Sequence, residues 1–225
     1  LRNMCGRFTQ MMSWRELVAL YRLTDKYLIR NTEARYNIAP TQTVPFIRVD
    51  GDGNQIVEDG RWWLVPHWAK EMPKAAMFNA RIETIDRSPA FRDAFRMRRC
   101  LIPADGFYEW TKGDDGGKDP WLIQMPGGAP YAFAGLWAHN TTLDVTSCTI
   151  ITAPSITPIS RIHDRMPIIL QPDVFDGWLN SNTPKENLKG ILAHHLDGQM
   201  RMRRVSREVN KATYSGRPEP IVNSL

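Results

Sequence analysis

Cys5 follows Met4 directly, so a chain started at that methionine and trimmed of it would carry two nucleophiles on one residue. A thiol and a free α-amine on adjacent carbons capture an aldehyde twice, first as an imine and then, by sulfur attack, as a thiazolidine ring. An internal cysteine cannot do this, because its nitrogen is an amide. Two further residues are of types that move protons. Glu109 lies between Tyr108 and Trp110 in a strand-like run, and a carboxylate among aromatics tends toward a raised pKa, as a general acid or base requires. His163, in Arg161-Ile162-His163-Asp164-Arg165-Met166-Pro167, can shuttle a proton near neutral pH with Asp164 or another carboxylate to orient it.

Each residue also has a plain reading. Cys5 can be a small buried residue near a terminus. Glu109 can face solvent on the alternating side of a strand, and His163 can be a surface histidine. His67, His139, His194 and His195 have no comparable setting, and the last two read as a helix face or as partners of a helix C-terminal dipole. Trp62, Trp63 and Trp68 precede Arg81, while Arg7 and Arg165 flank the two stretches of chemical interest. Single-stranded nucleic acid is held by base stacking on aromatics and a basic track for phosphates. The opposing reading is that the tryptophans build core, with at least Trp62 or Trp63 buried.

The elements that must position these residues are mostly strands. Ser13 and Glu16 form a capping box, and Trp14, Leu17, Val18 and Tyr21 recur at helical spacing, which predicts a helix over Ser13 to Leu23. Val44 to Val49 predicts a strand that ends in the turn Asp50-Gly51-Asp52-Gly53, and Arg61 to Pro66 predicts another. Ser88-Pro89 has the form of an N-cap with proline behind it, leading a short helix with Phe91 and Phe95 on one face. Arg98 to Pro103 and Gly106 to Trp110 read as strands paired around a turn. Further strands are expected at Trp121–Met125, Tyr131–Ala138, Ser147–Ala153, Met166–Leu170 and Met200–Val205. A helix is expected from Thr183-Pro184, with Leu188, Ile191 and Leu192 as its apolar face. With no internal repeat and no break in composition, the expectation is a single α+β domain over 1–225, with a mixed or antiparallel β-rich core, a few short helices and a loose tail over 218–225.

The 225 residues, 42% hydrophobic and 24% charged, can build a sizeable core, and no apolar run approaches the roughly 20 residues that span a bilayer. Three cysteines without a CxxC spacing indicate neither a disulfide framework nor a structural zinc site, so a cytoplasmic protein without metal or cofactor is expected. The net charge of +5 favours an anionic partner.

Taken in order, seven stretches resemble the SOS response-associated peptidase (SRAP) family: Met4-Cys5-Gly6-Arg7-Phe8, Arg35-Tyr36-Asn37-Ile38-Ala39-Pro40, Val65-Pro66-His67-Trp68-Ala69, Asn79-Ala80-Arg81-Ile82-Glu83-Thr84, Ala104-Asp105-Gly106-Phe107-Tyr108-Glu109-Trp110, Ile162-His163-Asp164-Arg165-Met166-Pro167 and Val205-Ser206-Arg207-Glu208-Val209. The resemblance implies a monomer that shields abasic sites in single-stranded DNA during the DNA damage response. It implies that Cys5 forms a thiazolidine with the ring-opened sugar aldehyde, that Asn79 orients Cys5, that Glu109 is the acidic catalytic residue and that His163 assists ring opening. Arg7, Arg81 and Arg165 would contact phosphates, and Trp68 would lie beside the DNA. It also implies a peptidase that releases the residues before its own Cys5, and lyase-like chemistry. Two features depart from the family pattern: Leu1-Arg2-Asn3 precede Met4, and Trp63 stands where a glycine is expected. The readings from other classes are a noncatalytic module for single-stranded or modified nucleic acid and a cysteine peptidase acting on other proteins.

Overall fold

Runs rich in β-branched and aromatic residues become strands here because both of their faces are covered. The computed structural model describes residues 6–23, 33–193 and 199–221. Cys5, His194, His195 and the end of the tail lie outside the described residues. In chain order the elements are β1 (Phe8–Gln10), α1 (Trp14–Leu20), β2 (Arg35–Ile38), β3 (Thr43–Val49), β4 (Gln55–Trp62), β5 (Asn79–Arg81), α2 (Arg92–Met97), β6 (Arg99–Ala104), β7 (Gly106–Lys112), β8 (Lys118–Gln124), β9 (Tyr131–Asn140), β10 (Val145–Pro154), β11 (Arg165–Pro167), β12 (Ile169–Leu170), α3 (Phe175–Leu179), α4 (Lys185–Ala193) and β13 (Arg201–Arg204).

Strands β4, β3, β6, β9 and β10 pair in that order, and β10 pairs with β9 as well as β4, which closes them into a small barrel. A second sheet runs β13-β8-β7-β1-β2. Strand alternation divides the core. From β6, Cys100, Ile102 and Ala104 point to one cluster with Phe46, Trp62, Phe133, Cys148 and Ile150, while Leu101 points to the other. That other cluster is capped by the helices through Trp14, Leu17, Phe95, Trp178, Leu188 and Leu192. The five-stranded sheet contributes Phe8, Ile38, Phe107 and Ile123 to the first cluster, so it packs against the barrel. The observed class is α+β with a β-rich core, as expected.

The local predictions hold where chemistry is local. Ser13 caps α1, and the reciprocal Ser13–Glu16 bonds of the capping box are present. The turn after β3 places Gly53 at φ +86°, a left-handed conformation that costs glycine little. Other expectations need correction. The strand expected over Arg61–Pro66 instead starts at Gln55 and stops at Trp62, because the Leu64 N–H leaves the ladder for the Met77 carbonyl. The helix expected from Ser88-Pro89 starts at Arg92, with no side-chain cap. Strands β6 and β7 do not pair: β6 lies between β3 and β9, and β7 between β1 and β8. Asp105 is where the chain passes from barrel to sheet. The run at Met166–Leu170 serves two partners, β11 on β10 and β12 on β9. The tail is tied at least to Ile221, whose N–H donates to the Arg204 carbonyl.

Candidate active site at the junction of the two sheets

The N-terminal strand is the first thing the fold must hold. Phe8, 0% exposed, sits edge-on to Trp62 with ring centroids 4.9 Å apart and to Phe133 at 5.7 Å. Asp105 secures the other end of β1. It accepts from the Thr9 hydroxyl at 2.5 Å, from the Met12 amide at 2.9 Å and from the Met11 amide. Burial pushes the Asp105 carboxyl above its ordinary value even though these three bonds oppose the shift. Sequence reasoning quoted Asp105 within a motif but gave it no role; its signal was a lone carboxylate between two apolar strands.

Strand β7 runs antiparallel to β1 with Phe8 opposite Phe107, and the Tyr108 N–H donates to the Arg7 carbonyl at 3.0 Å. Continuing that register two residues past Phe8 brings Glu109 level with Gly6, where the described chain begins. Phe107 and Glu109 point toward the barrel, whereas Tyr108 points to a small cluster with Leu122, Val205 and Val209. Glu109 is therefore 1% exposed. The solvent-facing reading fails because the sheet is covered on both sides.

His163 reaches the same place from the barrel. It follows the 3₁₀ turn Ile159–Arg161, its N–H donates to the Ile159 carbonyl at 3.0 Å, and its carbonyl accepts from the Ser155 hydroxyl at 2.5 Å. The ring is 6% exposed, so the surface reading fails too. Its Nε2 lies 3.8 Å from Glu109 Oε2. Its Nδ1 lies 3.0 Å from both the amide nitrogen and the carbonyl oxygen of Arg165 and 3.3 Å from exposed Asp164. These contacts ask for different tautomers. The amide N–H can only donate, so a neutral ring that accepts it carries its proton on Nε2, facing Glu109. Nε2 is buried and has no hydrogen-bond partner among the described residues.

Asn79 opens β5, half-buried, opposite Ile150 of β10, and Arg81 ends it, exposed, opposite Thr152. Arg165 converges on the same threonine, donating from Nη2 to the Thr152 carbonyl at 2.8 Å and its hydroxyl at 3.2 Å. Both terminal nitrogens of Arg165 also bond Glu83, a residue to which sequence reasoning gave no role. The fold thus gathers Glu109 with His163, and Arg81 with Arg165. Arg7 is elsewhere. Its guanidinium donates to Asn37 Oδ1 and to the Val209 carbonyl, each at 2.8 Å, on the face of the sheet opposite Phe8. Partial burial lowers its pKa from the ordinary value. Trp68 stands in the loop after β4, 56% exposed. Trp63 is half-buried against Phe78 and donates from Nε1 to the Pro73 carbonyl at 3.2 Å, bracing that loop.

The two described cysteines are unsuited to nucleophilic work. Cys100 and Cys148 are each 0% exposed, and burial raises both thiol pKa values, which suppresses the thiolate. Among the described residues no group of His, Cys, Asp and Glu could hold a metal ion, and no helix is long and apolar enough to cross a membrane.

Residues 4–212 match the family model described as SOS response associated peptidase (SRAP). The chain is 38% identical over 212 residues to the abasic site processing protein YoaM of Bacillus subtilis, an alignment covering 92% of this chain and 93% of that one. It is 28% identical over 195 residues to the abasic site processing protein YedK of Escherichia coli, covering 84% and 86% of the two chains. A crystal structure of a protein from Bordetella bronchiseptica superposes with a TM-score of 0.76 at 23% identity, over 90% of this chain and 100% of that one, and shares the fold.

Proposed function

Because the chain belongs to the SOS response associated peptidase (SRAP) family, we propose that it binds single-stranded DNA and captures the aldehyde of an abasic site on Cys5 as a thiazolidine, shielding the lesion. The observation that carries this reading is the Glu109–His163 pair, 3.8 Å apart and buried beside the start of β1, with His163 Nε2 left for another partner. The names of the relatives, abasic site processing proteins, point to the same substrate.

An abasic sugar is mostly a closed hemiacetal. Opening it takes a proton from the anomeric hydroxyl and delivers one to the ring oxygen as the carbon–oxygen bond breaks. Glu109 suits the first transfer and His163 Nε2 the second. The unprotonated amine of Cys5 adds to the aldehyde carbon, water leaves to give the imine, and the thiolate adds to the imine carbon while nitrogen takes up a proton. One water is lost overall and nothing is oxidised. The imine stage is the one a lyase reaction shares. Asn79 orients Cys5, the phosphates lie along Arg81 and Arg165, and Trp68 stacks against a base. Holding amine and aldehyde together supplies part of the roughly 7–11 kcal/mol that ideal intramolecular geometry gives. Residues before Cys5 must first go, by hydrolysis of the Met4–Cys5 amide, since only the free amine forms an imine.

The test incubates a chain shown by intact mass to begin at Cys5 with a single-stranded oligonucleotide carrying one abasic site. The expected product is a denaturation-resistant adduct one water lighter than its parts, absent in Cys5→Ala. Retention without an adduct would favour a noncatalytic binding module, and cleavage of an unrelated polypeptide would favour a general cysteine peptidase. An adduct that survives Cys5→Ala would point to a lysine imine.

A further inference from the structure

A carboxylate in a track for phosphates weakens the track, and Glu83 is such a carboxylate. It stands two residues after Arg81 and accepts from both terminal nitrogens of Arg165. Arg165 is first, and Arg81 a lesser contributor, among the charges that hold the Glu83 carboxyl below its ordinary pKa. Glu83 thus neutralises cations that would otherwise attract DNA.

We propose that Glu83 is a positioning residue: its end-on pair with Arg165 holds that arginine and the main chain that orients the His163 ring, at the expense of DNA affinity. This deepens the proposed function and rests on it. The geometry forms one chain of contacts. Glu83 and Thr152 grip the Arg165 guanidinium from two sides, the Arg165 N–H donates to His163 Nδ1 at 3.0 Å, and His163 Nε2 faces Glu109 at 3.8 Å. The side chain of Arg165 is 12% exposed and that of Glu83 44%, so the arginine is the fixed partner and the carboxylate its lid. Arg165 Nε is buried with no hydrogen-bond partner, so among the described residues the guanidinium is hydrogen-bonded through its terminal nitrogens to Glu83 and Thr152. Without the carboxylate the guanidinium keeps only its Thr152 bonds and can turn outward to phosphate, which loosens the segment that orients His163.

The two consequences have opposite signs, which separates this role from simpler ones. In Glu83→Gln, affinity for abasic-free single-stranded DNA should rise about threefold, with the salt dependence steeper by about 0.7, as one released cation gives. The rate of adduct formation at saturating abasic DNA should fall about tenfold, in keeping with the cost of misplaced reacting groups. In an Arg165→Gln background the Glu83→Gln change should have no further effect on that rate. Glu83→Asp, which keeps the charge, should leave affinity at the wild-type level, and its unfolding temperature checks the fold. If Glu83→Gln moved affinity and rate in the same direction, or left the rate unchanged while the wild type formed adduct, this inference would fall alone. Absence of any wild-type adduct would instead sink the proposed function and this inference with it.

Discussion

Trp62 and Trp68, neighbours in one aromatic stretch, end in opposite environments: Trp62 is 0% exposed, with Nε1 donating to the Phe78 carbonyl at 2.9 Å, and Trp68 is 56% exposed. The pair separates core from surface within a single motif. Trp62→Ala should cost about 3–5 kcal/mol of stability, as truncation of a buried aromatic does. Trp68→Ala should stay within about 0.5 kcal/mol of wild type yet weaken single-stranded DNA binding by about 1–3 kcal/mol, the worth of a stacked base. Denaturant titrations and fluorescence anisotropy measure the two. Equal losses of stability would contradict the burial pattern.

If Glu109 and His163 handle protons together, Glu109→Gln and His163→Ala should each slow adduct formation at saturating abasic DNA by about 10²–10⁴-fold. Affinity for abasic-free DNA should change little, and the double variant should be no slower than the worse single one, since the pair acts as a unit. Single-turnover quenching on denaturing gels gives the rates. A rate insensitive to both substitutions would remove the pair from the mechanism.

Burial should keep Cys100 and Cys148 silent. Native Cys5→Ala protein treated with an alkylating agent should gain no mass, and unfolded protein should gain two adducts. The Cys100→Ala/Cys148→Ala variant should still crosslink. Native alkylation at either site would show that the barrel opens.

The C-terminal segment is held to the β7–β8 hairpin by Arg207, whose Nη2 donates to Asp115 at 2.8 Å and whose Nε donates to Asp119 at 2.8 Å. The guanidinium holds the Asp115 carboxyl well below its ordinary value of 3.8. A lowered carboxyl pKa contributes stability that is fully present above the unfolded value and lost as pH falls through the folded one. The gap in unfolding temperature between wild type and Arg207→Ala should therefore be small, as for any solvent-exposed pair, but should persist from neutral pH to below pH 3.8 and close only in stronger acid. A gap that closed between pH 5 and 4 would assign the effect to another group.

Much of this protein is legible without coordinates. The Ser13–Glu16 capping box, the turn after β3 and the apolar runs of β6, β9 and β10 follow from short-range chemistry, and the ordered motifs pointed to the family. The sequence also named Glu109, His163, Asn79 and Arg81 as residues of interest. What it left open was what covers each face. Alternation says that Phe107 and Glu109 share a side of β7, but only the packing of that sheet on the barrel puts Glu109 at 1% exposure and opposite His163. The pairing of β6 with β9 instead of β7, the grip of Glu83 on Arg165 and the turning of Arg7 toward Val209 were hidden for the same reason. Each is a contact between segments far apart in the chain, and local propensity carries no term for which distant surface arrives to complete it.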